Sequence, residues 1–212
     1  MGTRAGDIDG GAVLYIEKKL GLDADGMSNL LNKKSGVAGL TGGSSDMRDV
    51  ENAAREGNDR ARLAQDMYFY RIKKYIGAFM AELGRVDAIV WTAGVGERGP
   101  ITRMKACSGL ENYGIKIDAE RNEWSFTGNA ETYIHADDSK TKIFVIPTDE
   151  ELVMTEDAFA LMKGTYDVHT NFKYSFQDPS YVNKAREEGL KADLVKRPNI
   201  AKILARDIIP AR

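Results

Sequence analysis

The chain has 212 residues, of which 42% are apolar and 29% are charged, a composition that can build the hydrophobic core of a globular protein. Thirty basic residues against 32 acidic ones leave a formal charge of −2, which argues against nucleic acid or a membrane surface as a partner. The single cysteine, Cys107, excludes an internal disulfide and a cysteine-based zinc site. Without a membrane-spanning run or a signal peptide before Gly2, we expect a cytoplasmic protein.

Apolar residues recur at helical spacing in the first part of the chain. The pattern predicts two short helices that end before Gly21 and Gly36, followed by a glycine-rich connector. A third helix is predicted to begin with Ser45 or Asp46 as its N-terminal cap and to end near Arg55.

A long amphipathic helix is predicted over residues 60–83. Its apolar stripe consists of Phe69, Ile72, Ile76, Phe79 and Leu83. This spacing places the five side chains on one face, which we expect to pack in the core.

Two short apolar runs then have the composition of β-strands. The first, over residues 86–93, is followed by the glycine turn 94–97 and by Pro100, which suits the first turn of a helix. The second, over residues 142–147, leads through the acidic cluster 148–151 into a predicted helix. The repeated unit predicts an α/β fold with ligand-binding loops at the carboxyl ends of the strands.

Each candidate group has a functional and a structural explanation. The turn 94–96 would let the backbone approach a phosphate at a helix N-terminus, but a purely structural turn is equally expected. The cluster 148–151 offers oxygen ligands for Mg²⁺, although an acidic helix N-terminus stabilised by the helix dipole is favoured. Asp46 and Arg48 could contact a ligand, whereas helix capping is the default explanation.

Arg4 lies between glycines that permit tight turns, and a fixed guanidinium binds phosphate or carboxylate well. Together with the glycine turn and the acidic pair Glu150 and Glu151, it forms a set suited to phosphoryl transfer. His135 and His169 have no catalytic partner at a recognisable spacing, so we expect both on the surface. Cys107 is expected to be a packed small residue.

Five segments together resemble the C-terminal half of acetate kinases, which belong to the superfamily of acetate and sugar kinases, chaperones and actin. In the order of that family they are residues 1–9, 44–50, 70–77, 87–97 and 145–152. The resemblance implies a partial actin-like, ribonuclease H-like α/β domain, with a mixed sheet flanked by helices, over residues 1–163. Residues 164–212 would form a partly helical extension, and the N-terminal domain of the family has no counterpart before Met1.

The resemblance also implies roles for individual residues. Arg4 falls on the active-site arginine that stabilises the transferred phosphoryl group, and Glu150 falls on the magnesium-associated glutamate. The residues assigned to the nucleotide are Asp46, Met47, Arg48, Gly94, Val95, Gly96, Glu97 and Arg98.

The reaction implied is a reversible, in-line transfer of the γ-phosphate of ATP to acetate, giving acetyl phosphate and ADP with Mg²⁺ as the metal. We expect a homodimer through this half and a dependence on the N-terminal domain, in cis or in trans, so the chain alone should have little activity. The alternative is a noncatalytic nucleotide-binding or dimerisation module. Ile200, Ile203, Leu204 and Ile208 could form an amphipathic helix that packs on the body or on a partner.

Two positions depart from the family pattern. Gly10 stands where proline is usual, and Arg98 stands where asparagine is common. Arg98 could strengthen nucleotide binding or point into solvent.

Overall fold

A computed structural model describes residues 1–208. These residues form two compact units, Met1–Gly84 and the residues from Arg85 onward. Within the described range, no helix is long and apolar enough to span a membrane. The division of the chain at residue 163, which follows the resemblance, stays a proposal.

The first unit is helical. Its helices are α1 (Gly10–Leu20), α2 (Ala24–Lys33), α3 (Gly36–Thr41), α4 (Met47–Arg55) and α5 (Asp59–Leu83). Asp9, Asp23, Asp46 and Asn58 cap α1, α2, α4 and α5 by accepting a backbone N–H with the side chain. Of the two predicted caps of this helix, Ser45 and Asp46, the structure shows Asp46.

The predicted glycine-rich connector is in part a helix, because residues 36–41 form α3. The backbone N–H groups of Val37 and Ala38 donate to the carbonyls of Met1 and Gly2, at 2.8 and 2.9 Å. Gly36 has φ +62°, and a Cβ there would lie 2.1 Å from the Met1 carbonyl oxygen. Glycine is therefore required where the N-terminal segment crosses α3.

The buried residues of helix α5 lie in its N-terminal half, and its C-terminal half is largely on the surface. Ala61 and Ala64 pack with Val37 and Val50 in the core of the first unit. Of the predicted apolar stripe only Phe69 is buried, whereas Phe79 is 61% exposed. The expectation that the whole stripe faces the core is therefore wrong at the C-terminal end of α5, where too few partners from the first unit reach the helix.

The second unit contains a small mixed sheet in the order β1-β3-β2. Strands β1 (Ala88–Trp91) and β3 (Lys142–Val145) are parallel, and β2 (Thr132–Tyr133) pairs antiparallel with β3. The sequence indicated β1 and β3 but not β2, because two residues are too few to show a period.

The remaining helices of the second unit are α6 (Ala93–Arg98), α7 (Pro100–Cys107), α8 (Ala119–Trp124), α9 (Glu150–Lys163) and α10 (Lys184–Lys196). The predicted glycine turn 94–97 is thus wrong as a turn, because these residues form most of α6. Gly94 has no positive φ, so its backbone can join a helix. Pro100 occupies the first turn of α7, as expected.

The extension after Gly164 packs on the second unit. Ile200, Ile203 and Leu204 are buried, which confirms packing on the body. The predicted amphipathic α-helix is wrong, however, because residues 198–203 form a 3₁₀ helix and Leu204 forms a β-bridge with Thr132. Residues 209–212 of the predicted extension lie outside the described range.

Candidate active site

The carboxyl ends of two parallel strands lie side by side in the second unit. Trp91, the last residue of β1, pairs in register with Val145, the last residue of β3. Helix α6 begins two residues after β1, and the loop 146–149 follows β3 before α9. Ligands of open α/β sheets bind at this edge, so the fold brings together the two loops that the sequence singled out.

Glu97 joins these two loops. Its Oε1 accepts hydrogen bonds from the backbone N–H of Thr148 at 3.0 Å and from the Thr148 hydroxyl at 3.1 Å. Glu97 was predicted to contact the nucleotide, and in this structure its carboxylate holds the loop that leads to Glu150.

Arg103 anchors α6 from below. Its side chain is fully buried and donates to the carbonyls of Gly96 and Glu97, at 2.7 and 3.0 Å. It also donates to the Asn122 side chain and to the carbonyls of Asn122 and Ser125. Burial lowers the pKa of Arg103 to about 10, so the guanidinium stays charged at neutral pH.

The two glycines of α6 have different surroundings. A Cβ on Gly96 would lie 3.2 Å from the Trp91 carbonyl carbon, whereas a Cβ on Gly94 would meet no atom within 4 Å. Gly96 therefore lets α6 pack against β1, while Gly94 is exposed beside Val95, which is 37% exposed. Ala93 precedes them with φ +58°, a conformation that costs of order 1–3 kcal/mol and is often found at functional sites.

Two further polar groups at this edge have no partner among the described residues. Arg98 is exposed, and within the described residues its side chain makes no hydrogen bond or ion pair. The indole N–H of Trp91 is buried without an acceptor in the part of the chain that the structure describes. Buried donors are normally paired, so this edge of the sheet has an unused donor and an unused cation.

Glu150 is exposed in the first turn of α9, which Asp149 caps through Leu152 N–H at 3.3 Å. Among residues 1–208, no cluster of three or more His, Cys, Asp or Glu side chains could hold a metal ion. An all-protein magnesium cage is thus not formed by these residues. One carboxylate completed by waters and phosphate oxygens is the arrangement that Mg²⁺ usually adopts with nucleotides, and Glu150 fits it.

Arg4 lies in the first unit, on a segment whose backbone is fixed on both sides. The Thr3 carbonyl accepts from Ser35 N–H at 2.9 Å, and Ala5 N–H donates to the Leu31 carbonyl at 2.8 Å. The Arg4 side chain is exposed and, in the described part of the chain, has no hydrogen bond or ion pair. The backbone is held on both sides of Arg4, whereas no described residue fixes its guanidinium. The role of Arg4 at the phosphoryl group stays a prediction.

The other candidates in the first unit have structural partners. Arg48 donates to both carboxylate oxygens of Asp46, at 3.0 and 2.6 Å, and Asp46 caps α4 through Arg48 N–H. These bonds hold the pKa of Asp46 down at about 2. Met47 is half-buried against the core of the first unit. The nucleoside-binding role of the three residues stays a prediction.

The histidines and the cysteine occupy different environments. His135 is half-buried and accepts from Ile143 N–H through Nδ1 at 3.2 Å, so its expected surface position is wrong, because the ring packs beside the central strand. Burial lowers the pKa of His135. His169 is exposed, as expected, with its Nδ1 2.5 Å from the Tyr174 hydroxyl. Cys107 is buried, which confirms its packing role.

The fold is an α/β domain with a small mixed sheet and two adjacent loops at the carboxyl ends of its parallel strands. The model of the Acetokinase family matches residues 1–156. The chain is 57% identical to an acetate kinase of Treponema pallidum over 205 residues, which are 96% of this chain and 46% of that protein. The chain therefore spans about half the length of this curated relative.

Two solved structures have the same fold over most of the chain. An acetate kinase of Porphyromonas gingivalis superposes with a TM-score of 0.69 at 47% identity, covering 76% of this chain and 40% of that one. A propionate kinase of Francisella tularensis gives a TM-score of 0.64 at 38% identity, covering 71% and 38%. The chain belongs to the Acetokinase family, and the predicted resemblance is confirmed.

The sequence did not single out Arg103, which fixes α6, or Asn183 and Arg186, which contact the loop before Glu150. An arginine inside an amphipathic pattern carries no signal that it is buried. Asn183 is a favoured capping residue before the 184–196 helix, but the sequence does not indicate that its amide donates to Asp149.

Proposed function

We propose that this chain contributes the nucleotide side of an acetate kinase site, which transfers the γ-phosphate of ATP reversibly to acetate. The observation that carries the proposal is the sequence match of 57% with an acetate kinase over 96% of the chain. The adjacent ends of β1 and β3 support it, because the loop after β1 leads to the exposed Gly94 and the loop after β3 leads to the exposed Glu150.

In the forward reaction, an acetate oxygen forms a bond to the γ-phosphorus while the bond from that phosphorus to the β,γ-bridging oxygen breaks, and ADP leaves with the electron pair. Enzymes of this type work by positioning and by neutralising charge on the transferred group. Gly94 would let the backbone approach the nucleotide, and Arg98 would add positive charge beside the phosphates. Arg4 would stabilise the equatorial oxygens of the phosphoryl group.

Mg²⁺ would neutralise phosphate charge and orient the nucleotide. Glu150 would hold it directly or through water, as one carboxylate among phosphate and water oxygens. Thr148, fixed by Glu97, would keep the start of α9 in place.

The chain spans about half of its curated relative, so we propose that turnover needs the other half of the kinase, in cis or in trans, and that the chain also contributes to a homodimer. The second candidate is a noncatalytic nucleotide-binding or dimerisation module. Its dimerisation form is favoured by the structural partners that Asp46, Met47 and Arg48 already have, because these contacts explain the three residues without a nucleoside.

A reconstitution experiment tests the proposal. The purified chain is titrated with Mg-ATP and Mg-ADP in a calorimeter, and then mixed with the part of the Treponema pallidum relative that it does not cover. We expect the chain alone to bind nucleotide without turnover and the mixture to form acetyl phosphate, measured as its hydroxamate. The mixture made with Arg4→Ala should form none.

Each other result has a definite meaning. Absence of nucleotide binding would overturn the proposal, and binding without turnover in the mixture would favour the binding module. Acetyl phosphate formed by the chain alone would show that the other half is dispensable.

A further inference from the structure

The extension after Gly164 contacts the loop that the proposed function depends on. This loop, here called the Thr148 turn and formed by residues 146–149, joins β3 to α9. Arg186 of α10 donates through Nη2 to the carbonyl oxygen of Thr148 at 2.9 Å and lies 3.4 Å from that of Pro147. The family model matches residues 1–156, so Arg186 lies beyond the part of the chain that this model covers.

Asn183 adds a second contact with the same turn. Its Nδ2 donates to Asp149 Oδ2 at 3.0 Å, while its Oδ1 caps α10 by accepting from Arg186 N–H at 3.1 Å. Asp149 Oδ1 accepts from Leu152 N–H at the start of α9. One carboxylate therefore joins the capped ends of α9 and α10.

The peptide groups of Thr148 are consequently held from two directions. Glu97 accepts from the N–H and the hydroxyl of Thr148, and Arg186 donates to its carbonyl. The Arg186 and Asp149 side chains are only 22% and 34% exposed, which limits competition from water. Glu150 lies two residues further along the chain than Thr148, in the first turn of α9.

The extension is firmly part of the second unit. The Tyr174 hydroxyl donates to Asp157 of α9 at 2.7 Å, and Asp193 accepts from Thr127 and Asn129 at 2.7 and 2.8 Å. Contacts at both ends of α10 and along α9 therefore hold the backbone of α10, which carries Arg186, in place.

We propose that Asn183 and Arg186 are positioning residues, which fix the Thr148 turn and thereby the direction in which Glu150 presents its carboxylate to nucleotide-bound Mg²⁺. The role of Glu150 as a metal ligand rests on the proposed function, whereas the contacts of Asn183 and Arg186 with the turn are seen in the structure. Replacing residues that orient a metal ligand typically changes metal affinity by 10- to 100-fold. The extension would therefore set the affinity of the nucleotide-bound site for Mg²⁺.

The test compares two arginines of the extension. Arg186→Met removes the contact with the turn, whereas Arg197→Met removes a similar bond from an arginine to a backbone carbonyl, that of Phe126, away from the turn. Hydrogen exchange followed by mass spectrometry reports on the amides of residues 148–153 in each full-length variant. We expect faster exchange there in Arg186→Met only, with Arg186→Lys restoring part of the protection.

The second readout is the magnesium dependence of ADP binding, measured by calorimetry with Mg²⁺ and with EDTA. We expect Arg186→Met to weaken the magnesium-dependent part about 10-fold or more and to leave binding in EDTA unchanged. Asn183→Asp keeps the cap of α10 but places two carboxylates together, so it should have the same effect.

The outcomes separate the two proposals. Equal exchange in both methionine variants, or faster exchange with unchanged magnesium dependence, would overturn the positioning role alone. A wild-type chain that binds no Mg-ADP would overturn the proposed function and, with it, the link to the metal.

Discussion

The first unit holds its candidate residues with exposed ion pairs, whereas the second holds them with a buried arginine. The Arg48 and Asp46 side chains are 87% and 39% exposed, while Arg103 is completely buried below α6. Exposed pairs contribute little to stability because water screens them and competes for their hydrogen bonds. A buried guanidinium with five acceptors cannot be replaced by water, so the two regions should respond very differently to substitution.

The largest effect is expected for Arg103→Met. The substitution leaves the carbonyls of Gly96 and Glu97, and three acceptors from Asn122 and Ser125, without their donor. A buried acceptor that loses its donor typically costs about 1–3 kcal/mol, and this substitution leaves five such acceptors without their donor. Urea denaturation should therefore show the transition of the second unit shifted to much lower urea.

Arg85→Met is the matched control, because Arg85 forms an ion pair with Asp87 whose side chains are 87% and 73% exposed. Its transition should barely move. If both variants lost similar amounts of stability, the buried Arg103 network would contribute no more to stability than an exposed ion pair.

Gly94→Ala asks whether the exposed face of α6 has a binding role. A methyl group there meets no atom within 4 Å, and alanine favours helix, so stability should be unchanged or rise by up to about 1 kcal/mol. If the backbone approaches a nucleotide, the affinity for Mg-ATP should fall about tenfold, equal to about 1.4 kcal/mol. Calorimetric titration measures it.

Gly77→Ala in α5 is the control, since a methyl at this exposed helical position also meets no atom within 4 Å. It should gain similar stability and keep its affinity. Unchanged affinity in Gly94→Ala would show that Gly94 is a structural residue.

Local patterns were enough to predict the two parallel strands and most of the longer helices, namely α1, α2, α4, α5, α7 and α9. The helical spacing and the caps of α4 and α5 are encoded within a few residues, and Asp46 is a favoured capping residue. Local chemistry also marked Arg4 and Glu150 as candidates for phosphoryl transfer, and the resemblance to a family assigned each its particular role.

Features that depend on distant residues could not be predicted in this way. The burial of Arg103 depends on Asn122 and Ser125, and the short strand β2 forms only because β3 is beside it. The exposure of Phe79 shows the same limit, because an apolar stripe predicts a buried face but not the partner that buries it.

A smaller, stabilising effect is expected for Gly10→Pro in the first unit. Gly10 is the first residue of α1, where proline is favoured, and Asp9 before it has ψ 132°, as a residue preceding proline requires. The rigid ring lowers the entropy of the unfolded chain, so the free energy of unfolding should rise by about 0.4–1 kcal/mol. Thermal unfolding checks this, with Gly10→Ala separating helix propensity from ring rigidity.

The smallest effect at neutral pH is expected for Asp46→Asn, which keeps a good helix cap but removes the ion pair with Arg48. Hydrogen bonds from Arg48 lower the pKa of Asp46 from 3.8 to about 2. The carboxylate therefore stabilises the folded state above pH 4, and this contribution is lost as the pH falls towards 2. Because the pair is exposed, the urea midpoint of the variant should lie only slightly below that of the wild type at pH 7. The variant should lose less stability than the wild type between pH 4 and 2.

The same variant separates capping from binding. If Asp46 only caps α4, Asp46→Asn should bind nucleotide like the wild type, because the cap and Met47 are undisturbed. If the pair Asp46 and Arg48 lines a nucleoside pocket, the affinity for Mg-ATP should change at pH 7 although stability barely changes. A changed affinity would give this exposed pair a function that its small effect on stability cannot reveal.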